Sequence, residues 1–298
     1  MYMPLHIFRS RLQQLKDSRC NILPLDQATE LLYANQLPDR AVAITFDDGT
    51  ADFSQRAFPL IQEFNVPVTL YLTTFYSQFQ RPVFDLTCAY LLWKGKDQTL
   101  DLKQLTGDDL KLDLRVEAER ETARLKVLSH ARDRRLSAEE KDELAAALAR
   151  SISVDYGRLL DLRMLHMISA DEVRELNAKG VDIELHTHRH RVPKDRELFI
   201  NEIEDNRKRI QALTGKRARH FCYPSGINDP AFLPWLEEAD VRSATTCEIG
   251  FASRESHPLL LPRFLDNASL TSIEFEGWLT GISAALPRRR IPSTEIAA

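Results

Sequence analysis

Two short stretches hold most of the residues that could do chemistry. The first is Ala41-Val42-Ala43-Ile44-Thr45-Phe46-Asp47-Asp48-Gly49-Thr50, an apolar run that stops at two adjacent carboxylates and a glycine. Adjacent side chains at a strand end point in different directions, so Asp47 and Asp48 can take different roles. Gly49 tolerates the sharp turn that must follow them. Taken alone, this stretch also fits a buried strand running into an ordinary Asp-Gly turn. The second stretch is Val181-Asp182-Ile183-Glu184-Leu185, which ends in His186-Thr187-His188-Arg189-His190. Three of the chain's eight histidines fall there. A tight histidine cluster behind a strand points to a metal site. One carboxylate with two imidazoles leaves positions open for water and substrate, as in catalytic rather than structural centres.

These groups need a frame that carries strand ends to one place. The spacing predicts strands over 41–46 and 68–72, joined by a helix over 51–64 with Phe53, Ala57, Leu60 and Ile61 on one face. Strand, helix and strand in so short a span form a βαβ unit and call for a parallel sheet. The same rhythm returns later. Ser169 and Glu172 form a capping box opening a helix that Gly180 ends, before the strand over 181–185. A long polar helix over 194–213 turns Phe199, Ile203, Ile210 and Leu213 inward. Strands over 219–223, 241–246 and 259–265 follow, and a helix over 272–286 closes the chain, capped by Thr271 and Glu274. Helices over 5–16 and 25–37 precede all of these. Every candidate group lies at or just after a strand end, which in α/β barrels is the face where sites are built.

The motifs resemble those of the polysaccharide deacetylases, the NodB-homology or carbohydrate esterase family 4 group. Thr45-Phe46-Asp47-Asp48-Gly49 is similar to their first motif, and His186-Thr187-His188-Arg189-His190 to their second. Phe221-Cys222-Tyr223-Pro224-Ser225-Gly226 resembles the third motif in a subgroup that reads Phe-Ala-Tyr-Pro-x-Gly. Leu261-Pro262-Arg263 resembles a late element of the same subgroup. The likeness covers about residues 5–75 and 165–285.

The resemblance implies a distorted (β/α)7 barrel of the NodB type. It implies a hydrolase that removes N-acetyl groups from amino sugars of a poly- or oligosaccharide. It implies that Asp48, His186 and His190 bind one divalent ion, most simply Zn²⁺, with Co²⁺, Ni²⁺ or Mn²⁺ as alternatives. Asp47 then matches the general base, and Tyr223, Pro224, Ser225 and Gly226 the substrate-binding loop. A backbone N–H near Ser225 is expected to face the oxyanion. Thr187 matches the residue that steadies the histidine loop, and His188 matches no ligand position.

Two departures stand out. Many relatives pair the base with an arginine at the position held here by Cys222; Arg263 is the candidate to supply that charge instead, with a structural salt bridge as the other reading of it. Relatives often carry a late Leu-x-His as general acid, but no histidine follows Arg263. His257 and His220 are the nearest candidates for that role.

Residues of about 76–166 interrupt the βα rhythm. They are rich in charged residues and leucine and predict a helical insert within a single deacetylase domain spanning 1–298. Val83-Phe84-Asp85-Leu86 and Ala89-Tyr90-Leu91-Leu92-Trp93 form an apolar patch expected to lean on the barrel.

With 298 residues and 43% hydrophobic content, the chain can build an ample core. A net charge of −4 and a pI near 6.1 speak against nucleic acid as a partner. No apolar run has the roughly 20 residues of a membrane span. The opening, Met1 to Ser10, has no signal-peptide pattern, and Cys20, Cys88, Cys222 and Cys247 are scattered. Together these predict a reduced, cytoplasmic protein.

The same residues bear on other classes. Phosphatases of the haloacid dehalogenase type need two acids separated by one residue, but here Phe46 precedes an adjacent pair. A metal- or sugar-binding barrel without turnover, and a deacylase of a small non-sugar amide, both keep the fold.

Overall fold

The computed structural model describes residues 3–79 and 81–282. The chain divides into two units, Met1–Gln78 with Ile168–Ala298, and Phe79–Met167. The first unit opens with α1 (Leu5–Asp17), β1 (Asn21–Ile22), α2 (Leu25–Tyr33), β2 (Ala41–Val42) and β3 (Thr45–Phe46). A π-helical turn, Phe53–Ala57, leads into α3 (Phe58–Phe64) and β4 (Thr69–Leu72).

The expected strand over 41–46 is split. Its first half pairs with β1, Asn21 against Ala41 and Ile22 against Val42. Its second half pairs with β4, Thr45 against Thr69 and Phe46 against Leu70. One run therefore serves two parallel ladders. β1, only two residues long, carries too short a pattern to be read from sequence.

The second unit contains α4 (Phe84–Lys94), an antiparallel pair β5 (Thr99–Asp101) and β6 (Lys111–Asp113), then α5 (Glu117–Asp133), α6 (Ala138–Ser151) and α7 (Tyr156–Asp161). It is helical as the composition predicts, apart from the hairpin. The apolar patch over 83–93 forms α4, whose Cys88, Leu91 and Leu92 are buried with Val127 and Leu148 in this unit's own core. Ser137 and Glu140 cap α6 reciprocally.

The first unit resumes with α8 (Ala170–Ala178), β7 (Asp182–Leu185), α9 (Arg196–Thr214), β8 (His220–Cys222), α10 (Leu233–Glu238), β9 (Ser243–Ile249), β10 (Leu261–Arg263) and α11 (Ser272–Leu279). The capping boxes Ser169–Glu172 and Thr271–Glu274 are both formed. α11 is shorter than expected, and residues 283–286 of the predicted helix lie outside the described residues.

Six strands make one parallel sheet in the order β10-β9-β8-β7-β4-β3. The sheet curls, because Arg263 on one edge strand reaches Thr45 on the other, Nη1 to Oγ1 3.4 Å. Counted through the shared run 41–46, β1 extends this to seven parallel strands in chain order, the topology of a (β/α)7 barrel. Alternate residues divide the two faces. Leu70, Leu72, Ile183, Leu185 and Phe221 pack outward against Val173 of α8 and Phe199, Ile203 and Ile210 of α9. Tyr71 and Cys222 point inward, with Ala43 and Leu25. Among the described residues no helix is long and apolar enough to cross a membrane.

Candidate active site

β3 ends at Phe46, and the chain turns at once. Gly49 N–H donates to the Asp47 carbonyl at 2.9 Å, which makes Asp48 the apex of a three-residue turn with φ +70°. A non-glycine residue there is strained, and such strain gathers at functional sites. Thr187, His190 and Ser225 also have positive φ, at 59°, 55° and 55°. They lie in the loops after β7 and β8, on the same face of the barrel. Gly49 is needed for space as well as for its φ of +87°, since a Cβ there would sit 2.4 Å from Leu72 Cδ1.

The histidine loop is held from below by α9. Asn206, fully buried, accepts from the His186 N–H at 2.9 Å and donates to the Leu72 carbonyl and Thr74 Oγ1, both at 2.9 Å. It thereby ties the ends of β4 and β7 together. Glu202, one turn earlier, accepts from the Arg189 N–H at 2.7 Å and from Arg189 Nη1 at 3.1 Å. Thr187 Oγ1 accepts from the Arg191 N–H at 3.0 Å. His188 meets Thr74 Oγ1 through Nδ1 at 2.8 Å and packs edge-on against Phe75. It stands outside the Asp48 cluster, and burial lowers its pKa.

Sequence reasoning missed Asn206 and Glu202. Both lie on the face of α9 that carries Phe199, Ile203 and Ile210, and that spacing was the available signal. Replacing Asn206 by Ala should leave the buried His186 N–H and Leu72 carbonyl unpaired, at about 1–3 kcal/mol for each group. A fall in the denaturation midpoint of Asn206→Ala checks this.

Asp48 Oδ1 lies 3.0 Å from His186 Nε2 and 3.2 Å from His190 Nε2. These three side chains form one candidate donor set for a metal ion. The chemistry of the set fits a cation. His186 Nδ1 faces the Cys222 carbonyl at 2.8 Å, and only an N–H can face a carbonyl oxygen that closely. A neutral His186 therefore turns the lone pair of Nε2 toward a carboxylate oxygen, an arrangement that needs positive charge between them. Burial opposes charge on His186, but Cys222 and then Asp48 beside it hold its pKa above the usual value. Burial likewise pushes the Asp48 carboxyl up, and the two imidazoles override it and pull it far down.

Asp47, His186 and Cys222 form a second possible donor set. Arg263 stands against it. Its Nη2 lies 3.2 Å from Cys222 Sγ, so a cation there would face a guanidinium at close range.

Asp47 is gripped by Arg263. Nη1 donates to Oδ1 at 2.8 Å and Nη2 to Oδ2 at 2.9 Å, a bidentate pair. Arg263 Nε donates to the Thr246 carbonyl at 2.9 Å, which fixes the fork. The arginine thus comes from β10 rather than from position 222 on β8. Burial raises the Asp47 carboxyl, but Arg263 outweighs it and holds the pKa below the ordinary value.

Of the predicted substrate loop, Tyr223 and Pro224 are buried, whereas Ser225 is exposed and Gly226 partly so. Tyr223 is a core residue, with its hydroxyl bonded to the Leu259 carbonyl at 3.0 Å. Its ring is therefore spent on packing, and only its backbone can face a ligand. Gly226 at φ +68° passes so near Cys247 that a Cβ would meet Cys247 Cβ at 2.6 Å.

Neither histidine considered as general acid is on this face. His220 opens β8 at the opposite end of the barrel, buried, with Nδ1 at 2.8 Å from Ser243 Oγ and Nε2 at 3.0 Å from Asp26 Oδ1. This Ser-His-Asp chain runs the wrong way for a hydrolase: the serine is buried and the aspartate exposed. His257 accepts from the Leu259 N–H at 3.1 Å, beside the start of β10.

A model of the polysaccharide deacetylase family matches residues 34–90 and 137–244, more than half of the chain. The chain belongs to this family, enzymes that act on amide bonds. Among solved structures it is similar to the deacetylase PplD of Streptococcus pyogenes, solved in complex with acetate. The identity is 15% over 92% of this chain and 86% of that one, with a TM-score of 0.59. IcaB from Ammonifex degensii gives 15% identity over 94% and 89%, with a TM-score of 0.58. A de-N-acetylase from Aggregatibacter actinomycetemcomitans gives 15% over 93% and 92%, with a TM-score of 0.54. At such identities the likeness establishes the shared fold. A comparison with curated proteins gives no match.

Proposed function

We propose that this chain is a metal-dependent deacetylase that removes N-acetyl groups from amino sugars of a poly- or oligosaccharide, a surface polysaccharide or its precursor. The observation that carries the reading is one cluster of groups at the strand ends. Asp48, His186 and His190 converge there, beside an Asp47 fixed by Arg263. We assign Asp48, His186 and His190 to a divalent ion, most simply Zn²⁺, since two imidazoles and a carboxylate suit it. Such an ion supplies Lewis acidity toward an amide carbonyl and toward water. Asp47 takes the proton of the water that attacks the acetyl carbon. Arg263 holds Asp47 ionised and aimed, and is a positioning residue. The turn at Ser225 offers a backbone N–H to the developing oxyanion, with Pro224 and Gly226 shaping that turn. The proton that Asp47 has taken passes to the leaving nitrogen as the C–N bond breaks, releasing acetate and a free amino sugar.

We also place the chain in the Phe-Ala-Tyr-Pro-x-Gly subgroup, on Phe221 to Gly226. We treat it as one deacetylase domain over 1–298, with the helical insert at about 76–166. Four free cysteines suit a reducing compartment, and we place the protein in the cytoplasm. One observation favours a second reading, a metal- or sugar-binding barrel without turnover: no histidine follows Arg263. Metal-dependent release of acetate from chito-oligosaccharides supports the first reading. Metal or sugar binding without any acetate release supports the second.

Arg263→Ala should lower kcat and move the acid limb of the pH–rate profile to higher pH. The sign follows from the pair: Arg263 depresses the Asp47 pKa, so its loss lets burial raise it, and the base is protonated at higher pH. An unmoved acid limb would detach Arg263 from the base.

A further inference from the structure

Beyond the reacting groups, the rim of this face carries an aromatic cluster with no role in the proposed chemistry. Phe264 follows Arg263 directly, and Phe251 lies just past the end of β9. Both meet Trp278 of α11, Phe264 at 4.7 Å between ring centroids with planes tilted 31°, and Phe251 at 5.6 Å and 44°. Phe251 is 50% exposed, and Phe264 and Trp278 are partly so. The cluster is firmly mounted. Arg11 of α1, buried, bonds Asp266 through Nε at 3.0 Å and the Leu270 carbonyl through Nη2 at 2.7 Å. Its guanidinium lies 4.5 Å over Phe275, which in turn touches Phe264 at 6.0 Å. One half-exposed ring and two partly exposed ones, in mutual contact on a fixed mount, make an apolar patch at the rim that a ligand can cover.

We infer that Phe251, Phe264 and Trp278 form a sugar-stacking subsite for the part of the polysaccharide chain next to the residue being deacetylated. The inference rests on the deacetylase reading and specifies the class of substrate. A pyranose ring presents an apolar face of C–H bonds that packs on an aromatic plane. A polymer whose acetamide sits at Asp47 and Asp48 must leave the centre over some part of the rim. Phe264 follows β10 and Phe251 follows β9, so the rings stand at the strand ends that also carry Asp47 and Asp48. The polar positions next to Phe251, namely Ser253, Arg254 and Glu255, suit a hydroxylated ligand better than a lipid.

The test compares acetate release from diacetylchitobiose and from a long chito-oligosaccharide, in wild type, Phe251→Ala, Trp278→Ala and Trp278→Phe. A model acetate ester serves as a substrate without sugar. Ring stacking should carry about tenfold, so both alanine variants should lose about tenfold in kcat/KM on the long substrate. The loss should fall mainly on KM, with the model ester unaffected and Trp278→Phe largely restored. Equal losses on all substrates would make the rings purely structural and overturn the subsite, as would no loss on the long one. Binding of wild type to phospholipid vesicles that Phe251→Ala abolishes, with long-substrate turnover intact, would assign the rings to a membrane and also overturn it. A wild type that cleaves the ester but no oligosaccharide refutes the polysaccharide reading itself, a separate outcome.

Discussion

Asp47→Asn is expected to lose about 10²- to 10⁴-fold in kcat while retaining its metal. The amide keeps the size and one acceptor oxygen of the carboxylate, so the grip of Arg263 is weakened but not abolished. It cannot accept the proton of water at neutral pH. The proposed role is distinct from the proposed metal site: both oxygens of Asp47 are engaged by Arg263, whereas Asp48 Oδ1 faces the two imidazoles. Single-turnover kinetics with metal analysis on the same preparation checks both halves. A metal-free Asp47→Asn would mean that the two aspartates have exchanged roles.

His186→Ala and His190→Ala should each abolish stoichiometric metal and, with it, turnover. Their effects on the fold should differ. His186 is almost completely buried and bonds the Cys222 carbonyl, so its loss orphans a buried acceptor at about 1–3 kcal/mol. His190 is about one-third exposed, at 35%, and its removal should stay within about 0.5 kcal/mol. Added Zn²⁺ should raise the Tm of the wild type and of neither variant, since an ion that binds only the folded state stabilises it by mass action. Full metal content in both variants would refute the ligand set.

What the sequence disclosed follows from how local each signal is. Asp47 and Asp48 are adjacent, and His186 and His190 share one loop, so motif and chemistry could be read together. Capping boxes at Ser169 and Thr271 are equally local and formed as expected. Arg263 was legible by another route: Cys222 stands where a charge is needed, and one arginine follows a later strand. Asn206 and Glu202 were not legible as partners of the histidine loop, because a polar residue on a helix is ordinarily read as solvent-facing. Their burial depends on the fit of α9 under β4 and β7, which is a tertiary fact. The two-residue β1 and the division of 41–46 between two ladders were hidden for the same reason, since strand pairing is not written in a single run. The hairpin in the second unit does carry an alternating pattern, Leu110-Lys111-Leu112-Asp113-Leu114, but its strands are three residues each in a stretch whose charged, leucine-rich composition reads as helical.

The position of the Arg263 guanidinium has a consequence for how such a chain can vary. Its Nη2 lies 3.2 Å from Cys222 Sγ, and its fork engages both oxygens of Asp47. A long cation at position 222 and Arg263 therefore exclude each other. Cys222→Arg alone should be damaging, through overpacking and like charge. The double replacement Cys222→Arg with Arg263→Ser should recover part of what either loses. Moving the charge from one strand to the other therefore requires both positions to change together.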